Sequence, residues 1–358
     1  MSRSIGAPVA TASTPEPGTA WPMRAASHEP AAASRPGAVS GEPLADAEAD
    51  GSHRMVAADD GERDDGGAIA SCDERAPDHR WELLRALGSL SILPPAEHGP
   101  IAEALGLAAW SPAEHTRLFV LELPPYASIH LGPEGKLGGE GADRVAGVWR
   151  ALGLDPPTGA DHLASLLALY AHLGEASQSA ATDTARRRLA HAARALLWEH
   201  LWSWAPGYLA AAATYPAAAP WAALTASALA DEALGTAPPE DLPAALRQAP
   251  GAIGPEVTVD DLLDALVAPL RAGFVLTHSD LVRAGREIGA GVRRGERRFA
   301  LRAMLEQDPS SSVAWLARHA RRWAGLHRSH GAPAPTISDW WVRRATGTAR
   351  TLDTLSRH

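Results

Sequence analysis

The chain has 358 residues, which suits one large domain or two small ones. Its formal net charge is −9, but residues 1–80 carry 14 acidic and 7 basic side chains, so the remainder is near −2 and has no charge signature of nucleic-acid binding. The single cysteine, Cys72, excludes a disulfide framework and a cysteine-based metal site. No apolar run approaches the roughly 18 residues of a membrane span, and the N-terminus lacks a signal-peptide pattern. The sequence therefore predicts a cytoplasmic protein without stable membrane association.

The chain divides by composition into three parts. Residues 1–78 are rich in Ala, Pro, Gly, Ser and acids and show no sustained hydrophobic period, which predicts a disordered tail. Residues 79–330 predict a single all-α domain, a bundle of roughly ten helices, because they show helical periods and no strand alternation. Residues 331–358 are assigned to a C-terminal extension.

In chain order, the first predicted helix covers residues 79–93. Its apolar residues share one helical face: Trp81, Leu84, Leu87 and Leu90. A short helix follows near residues 96–105. Ser111-Pro112-Ala113-Glu114 then has the pattern of a helix start, with a Ser cap, Pro at the first position and Glu at the third. That helix must end before Pro124-Pro125.

Three helices are predicted over the middle of the chain. One covers Ala142 to Leu152 and stops at Gly153. Asp161 is expected to cap the next, whose apolar residues are Leu163, Leu166, Leu167, Tyr170 and Leu173. A third, long helix is predicted from Thr184 to Trp204.

The C-terminal half adds further capped helices. Trp221 opens one, and Thr258 with Asp261 begins another. Thr277 with Asp280 begins a helix that is expected to continue to the break at Asp308-Pro309. A final helix is predicted over residues 312–326.

Familiar catalytic patterns are missing from the sequence. The Gly-Lys loop at residues 132–137 has the wrong glycine spacing for a phosphate loop, and Leu137 stands where a Ser or Thr is needed. The histidines do not form a metal-binding pattern, and no nucleophile elbow occurs. The sequence therefore predicts no catalytic residue, no metal site and no cofactor, and a protein that is not an enzyme.

Residues 123–163 hold the most unusual features of the chain. Pro124-Pro125 fixes the backbone and places Tyr126 at a loop corner, where a core residue is not expected. Asp161 at a helix N-terminus lies in a favourable dipole field. His162 is at the wrong end of a helix for a charged imidazole. An ordinary cap followed by a tolerated histidine explains the pair equally well.

Three stretches together resemble the TorD-like chaperones, which mature molybdenum-containing redox enzymes exported by the twin-arginine pathway. LPPYASIHL at residues 123–131 is similar to the family's Pro-Pro-aromatic loop. DHL at 161–163 matches the end of its Glu-Pro-x-Asp-His motif, although Thr158-Gly159-Ala160 replaces the Glu-Pro-x half. EHLWSW at 199–204 is similar to its Glu-His-Leu-x-x-Trp segment.

The resemblance implies a chaperone that binds the twin-arginine signal peptide and the apo-form of a molybdenum-cofactor oxidoreductase subunit, and that assists cofactor insertion before export. It implies a monomer or a domain-swapped dimer that binds no nucleic acid. The predicted peptide-binding residues are Tyr126, Asp161, His162, Trp149, His200 and Trp204. Tyr126 and Asp161-His162 are expected to form two sides of one groove.

Two other functions remain open on the residues alone. Asp161 and His162 are the candidate base and orienting group of a small helical enzyme, although neighbours on a helix point about 100° apart. The arginines between residues 283 and 302 are the candidate surface of a helical regulator that binds DNA. A solvated helix face is the simpler interpretation of that basic run.

Overall fold

The computed structural model describes residues 79–357, except Leu93 and Arg294. The predicted disordered tail, residues 1–78, lies outside the described residues, as does Cys72. Between residues 79 and 357 the described chain is helical and contains no strand, so the all-α prediction is confirmed. None of the helices in this part is long and apolar enough to cross a membrane.

The described chain forms sixteen α-helices and two π-helices. In order they are α1 (Arg80–Ile92), α2 (Pro95–Ala104), α3 (Pro112–His115), the first π-helix (Thr116–Glu122), α4 (Ala127–Leu131), α5 (Gly139–Ala151), α6 (Leu163–Gln178), α7 (Asp183–Ala195), the second π-helix (Leu196–Trp202), α8 (Ala205–Ala212), α9 (Ala219–Leu234), α10 (Ala244–Arg247), α11 (Val259–Val267), α12 (Pro269–Ala272), α13 (His278–Ile288), α14 (Arg297–Gln307), α15 (Pro309–Ser329) and α16 (Pro335–Leu355). The number exceeds the expected ten partly because α3, α4, α10 and α12 have only four or five residues.

Several predicted helix starts are confirmed by their hydrogen bonds. Ser111 and Glu114 form a reciprocal capping box at α3, and Thr277 and Asp280 form another at α13. The hydroxyl of Thr258 accepts from the amide of Asp261 at 3.2 Å. Short polar side chains at these positions satisfy backbone amides that have no partner within the helix.

The prediction of one helix from Thr277 to Asp308 is wrong, because the chain breaks between α13 and α14. Gly289 ends α13 with φ of +75°, a left-handed conformation that favours glycine. The Gln307 carboxamide then accepts from the Gly291 amide at 2.8 Å and donates to its carbonyl at 2.9 Å. This pair of hydrogen bonds holds the intervening loop against the end of α14.

The segment assigned to a C-terminal extension contains the whole of α16, which packs along α15. Ile337, Trp341 and Leu352 are buried in the same apolar cluster as the helices before them. The indole of Trp341 also donates to the carbonyl of Ser203 at 2.9 Å. This helix therefore contributes to the core around the end of the second π-helix.

Helix α6 lies against α1 and α7 and supplies much of the core. All five of its predicted apolar residues are buried. The approach of α1 is close because Gly88 and Gly174 lack side chains: a Cβ on Gly174 would lie 2.3 Å from Cη2 of Trp81. Trp81 in turn packs edge-on against Tyr170 at 5.8 Å.

Tryptophan side chains join helices that are distant in sequence. The indole N–H of Trp221 donates to Leu87 O at 2.9 Å, and that of Trp110 donates to Ala217 O at 2.8 Å. Buried indoles need such partners, since an unpaired N–H in an apolar core is costly. These tryptophans therefore pack in the core while their indole N–H groups bond to backbone carbonyls of distant segments.

The packing of α1 on α6 gives a prediction for Gly174. Gly174→Ala should lower the free energy of unfolding by about 1–3 kcal/mol, because the new methyl group overlaps the buried Trp81 ring. Gly147→Ala on α5 is the matched control, since a Cβ there meets nothing within 4 Å. It should raise stability by about 0.5–1 kcal/mol. Chemical denaturation measures both, and equal effects of the two changes would contradict the close contact.

Candidate functional site

Two of the three motif stretches are positioned by π-helices. The first π-helix ends at Glu122, one residue before LPPYASIHL, and the second contains Glu199 and His200. Helical turns of this type are rare and frequently occur at functional sites. The Glu122 carboxylate also accepts from the Ser279 amide at 3.0 Å and the Ser279 hydroxyl at 2.7 Å, which ties this turn to the start of α13.

The first and second stretches are pinned together by three hydrogen bonds. The Ala127 amide donates to Asp161 O at 2.9 Å, and the Leu163 amide donates to Pro125 O at 2.8 Å. The Ser128 amide donates to the Asp161 carboxylate at 2.9 Å. Asp161 therefore satisfies the first turn of α4, and only 4% of its surface is exposed. We call this arrangement the Asp161 pin.

The prediction that Asp161 caps α6 is wrong, because His162 does so. Its Nδ1 accepts from the Ala164 amide at 3.0 Å, which requires that nitrogen to be unprotonated. Burial lowers the pKa of His162 to about 4, the charge of Asp161 opposes this, and His115 adds to it. A neutral imidazole removes the conflict between a cation and the positive end of a helix.

Tyr126 and His162 touch each other directly. Their backbones form an isolated antiparallel bridge, and their rings meet edge to face at 4.8 Å. Gly159 lies beside the pair with φ of +74°, a left-handed conformation that favours glycine. The two side chains thus belong to one wall, in which Tyr126 is half-buried and His162 is buried.

The first and third stretches meet through an aromatic stack. The rings of His130 and Trp204 are stacked with centroids 4.9 Å apart. Tyr208 lies edge-on to both rings, and its hydroxyl donates to Leu123 O at 3.2 Å. His130 lies within the LPPYASIHL stretch. Its partner Trp204 is 74 residues further along the chain. Neither His130 nor Tyr208 was among the predicted site residues, because no local pattern reports such a contact.

The remaining predicted residues lie on neighbouring elements. His200 is buried in the second π-helix, where burial and then the charge of Arg144 lower its pKa to about 4. Its backbone carbonyl accepts from the Trp204 indole at 2.7 Å. Trp149 on α5 is half-buried, and its indole nitrogen has no hydrogen-bond partner among the described residues.

The glycine loop packs against the domain and does not form a phosphate cradle. Gly135 has φ of +63°, and a Cβ there would lie 2.6 Å from Cα of Ala268, between α11 and α12. The Gly138 amide donates to the Ser128 hydroxyl at 3.2 Å. Glycine is needed here for close approach of two backbones, while Lys136 remains exposed.

The structure argues against the two other candidate functions, the helical enzyme and the DNA-binding regulator. Asp161 and His162 hydrogen-bond to different backbone amides, those of Ser128 and Ala164, so they do not form a base and its orienting group. In the basic run, Arg298 pairs with Asp260 and Asp264 of α11. Arg302 also pairs with Asp260. Among the residues described, no group of three or more His, Cys, Asp or Glu side chains is arranged to hold a metal ion.

Two hollows that share lining residues lie beside the third stretch. A cavity of about 40 Å³, which we call the aromatic cavity, is lined mainly by the rings of His130, Trp204, Tyr208, Phe274, Trp323 and Trp341. A hollow of about 210 Å³, the apolar groove, is lined mainly by Trp202, Pro206, Leu209, Leu229, Leu234 and Pro333. Trp202, Pro206 and His330 line both. Leu234 is 68% exposed at the groove.

The buried histidines give a prediction for the pH dependence of stability. Burial lowers the pKa of His130 to about 3 and those of His162, His200 and His327 to about 4. As pH falls below about 6.5 the unfolded chain binds protons that the folded chain does not. Stability should therefore be full above about pH 6.5 and fall towards pH 4, by about 1.4 kcal/mol per pH unit for each such histidine. Denaturation at several pH values measures this slope, and a flat profile would contradict the neutral burial.

Comparison with known proteins finds one similar family. Residues 101–210 match the family model described as nitrate reductase delta subunit. This segment contains all three motif stretches, the Asp161 pin and the stack of His130 on Trp204. A search of curated proteins finds no match. Members of the matched family are maturation chaperones of redox enzymes, and residues 101–210 of this chain are similar to them.

Proposed function

We propose that this protein is a cytoplasmic chaperone that binds the twin-arginine signal peptide of a molybdenum-cofactor oxidoreductase subunit and assists cofactor insertion before export. The observation that carries the proposal is the apolar groove beside the third motif stretch. A signal peptide has a basic start and an apolar body. An apolar groove between helices suits such a body, because helix-in-groove binding depends on buried apolar side chains.

The shape and chemistry of the groove support this occupant. Leu229 and Leu234 of α9 line it, together with Trp202 and Pro206, which lie at the third stretch. No acidic, lysine or arginine side chain is among the groove-lining residues of the described chain. An apolar peptide segment can therefore enter without stripping water from a charged protein group.

A basic peptide start can be met at one end of the groove. Asp231 is exposed and lies one turn before Leu234 near the C-terminus of α9. Its carboxylate and the partial negative charge of the helix C-terminus both favour a cation. Glu232 is already bonded to the Tyr170 hydroxyl at 2.9 Å. Asp231 is thus better placed than Glu232 or Asp161 to meet the basic start of the peptide, since Asp161 is buried and bonded to the Ser128 amide.

The six predicted peptide-binding residues divide by exposure. Tyr126 and Trp149 are half-buried and have surface to offer a peptide. Asp161, His162, His200 and Trp204 are buried, so we propose that they act by positioning the walls of the site. In this proposal the Asp161 pin orients the Tyr126 loop, and Trp204 supports the wall between the aromatic cavity and the π-helix.

Leu234 provides a test of the groove. Leu234→Glu should weaken binding of a molybdenum-oxidoreductase signal peptide from the same genome at least tenfold, because it places a charge against the apolar body. Calorimetric titration of the full chain measures the affinity. Leu137→Glu, at a residue 62% exposed in the glycine loop, is the matched control and should leave the affinity unchanged. Equal affinity of both variants and the wild type would overturn the assignment of the groove.

Asp161 provides a test of positioning against direct contact. Asp161→Asn should keep peptide affinity within about twofold, because the carboxamide oxygen can still accept from the Ser128 amide. Asp161→Ala should lower the free energy of unfolding by about 1–3 kcal/mol, because it leaves that buried amide unpaired. Titration and chemical denaturation measure the two effects. If Asp161→Asn lost affinity tenfold without loss of stability, Asp161 would contact the peptide by its charge.

A further inference from the structure

The aromatic cavity is lined by an imidazole with one ring nitrogen that lacks a hydrogen-bond partner among the described residues. His130 is 3% exposed and lines the cavity, and its Nε2 has no hydrogen-bond partner among the described residues. A buried polar atom without a partner is costly and rare. Its ring is fixed from two sides, by stacking on Trp204 and by the edge of Tyr208. The nitrogen cannot easily turn away to find another partner.

The neighbouring polar groups of the cavity wall are already engaged. The Tyr208 hydroxyl donates to Leu123 O, and the Trp204 indole donates to His200 O. The Trp341 indole is bonded to Ser203 O, and the Ser338 hydroxyl donates to His327 O at 2.6 Å. His327 Nε2 lies 2.9 Å from Gly273 O. A partner for His130 must therefore come from outside these groups.

The size and charge of the cavity limit what that partner can be. About 40 Å³ accommodates roughly three water molecules, which is a group of three or four heavy atoms. Acidic, lysine and arginine side chains are missing from its described lining, so an ion entering it would find no counter-charge. The remaining walls are the faces and edges of aromatic rings, which suit a methyl or methylene group.

We infer that the aromatic cavity is an anchor pocket for one small, uncharged, hydrogen-bonding side chain of the client peptide, such as threonine, serine or asparagine, paired with His130 Nε2. The inference rests on the proposed binding of an apolar peptide in the groove. The pocket and the groove share Trp202, Pro206 and His330, so they are adjacent. In this inference a peptide lying in the groove places one side chain in the pocket. The pocket makes the chaperone selective for clients with a polar residue at one position of an otherwise apolar run.

Two isosteric peptides test the inference. One is an apolar helical peptide with a single threonine, moved through successive positions, and the other has valine at the same position. At one position the threonine peptide should bind the full-length protein about tenfold more tightly than the valine peptide. Without a partner for the hydroxyl the order reverses, because burying it unpaired is unfavourable. Titration calorimetry measures both affinities.

The His130→Phe variant completes the test. Phenylalanine keeps a ring against Trp204 but removes the nitrogen, so the preference for threonine should disappear while the valine peptide still binds. If this variant fails to fold, the ¹⁵N resonance of His130 Nε2 in the wild type should shift with the threonine peptide and not with the valine peptide. Valine peptides that bind as tightly as the threonine peptides, or more tightly, at every position overturn the anchor pocket and leave the proposed function standing. Binding of neither peptide overturns both.

Discussion

The Asp161 pin is the interaction on which the candidate site depends. Pro124 and Pro125 lack backbone donors, and the short α4 after them leaves amides to be satisfied. The carboxylate and the backbone carbonyl of Asp161 supply those partners. The same contacts set where α6 begins, since Leu163 bonds back to Pro125 and His162 caps the helix. One group of hydrogen bonds therefore places both Tyr126 and the helix that carries much of the core.

Neutral buried histidines are a second feature of the molecule. His130, His162 and His200 lie in the three stretches of the site, and burial lowers the pKa of each. As neutral rings they act as hydrogen-bond acceptors or as flat packing surfaces, which a charged imidazole in an apolar core cannot do at low cost. Because these three of the chain's 15 histidines are neutral, they can be buried without an ion pair to an acidic side chain.

The site joins a rigid frame to an open apolar surface. The frame consists of the pin and the stack of His130 on Trp204, both inside the matched family segment. The surface comprises the apolar groove and the aromatic cavity, to which α15 and α16 also contribute, through residues beyond that segment. The matched segment thus supplies the rigid frame, while the C-terminal helices shape part of the walls of both hollows.

The sequence alone determined the helical class, most helix starts and the three motif stretches. Caps such as Ser111 and Thr277 bond to partners within four residues, and the apolar period of α6 is a local property. Both can therefore be predicted from the sequence alone.

The break at Gly289 was missed because glycine is tolerated within helices. Only the hydrogen bonds of Gln307 to Gly291 determine the loop. The cap of α6 was assigned to Asp161 instead of His162 because this choice, too, depends on a tertiary contact. Either residue can cap a helix, and the choice depends on Ser128, which lies 33 residues away. The pairing of His130 with Trp204 and the two hollows arose only from the tertiary structure, because they join helices whose contacts leave no local pattern in the chain.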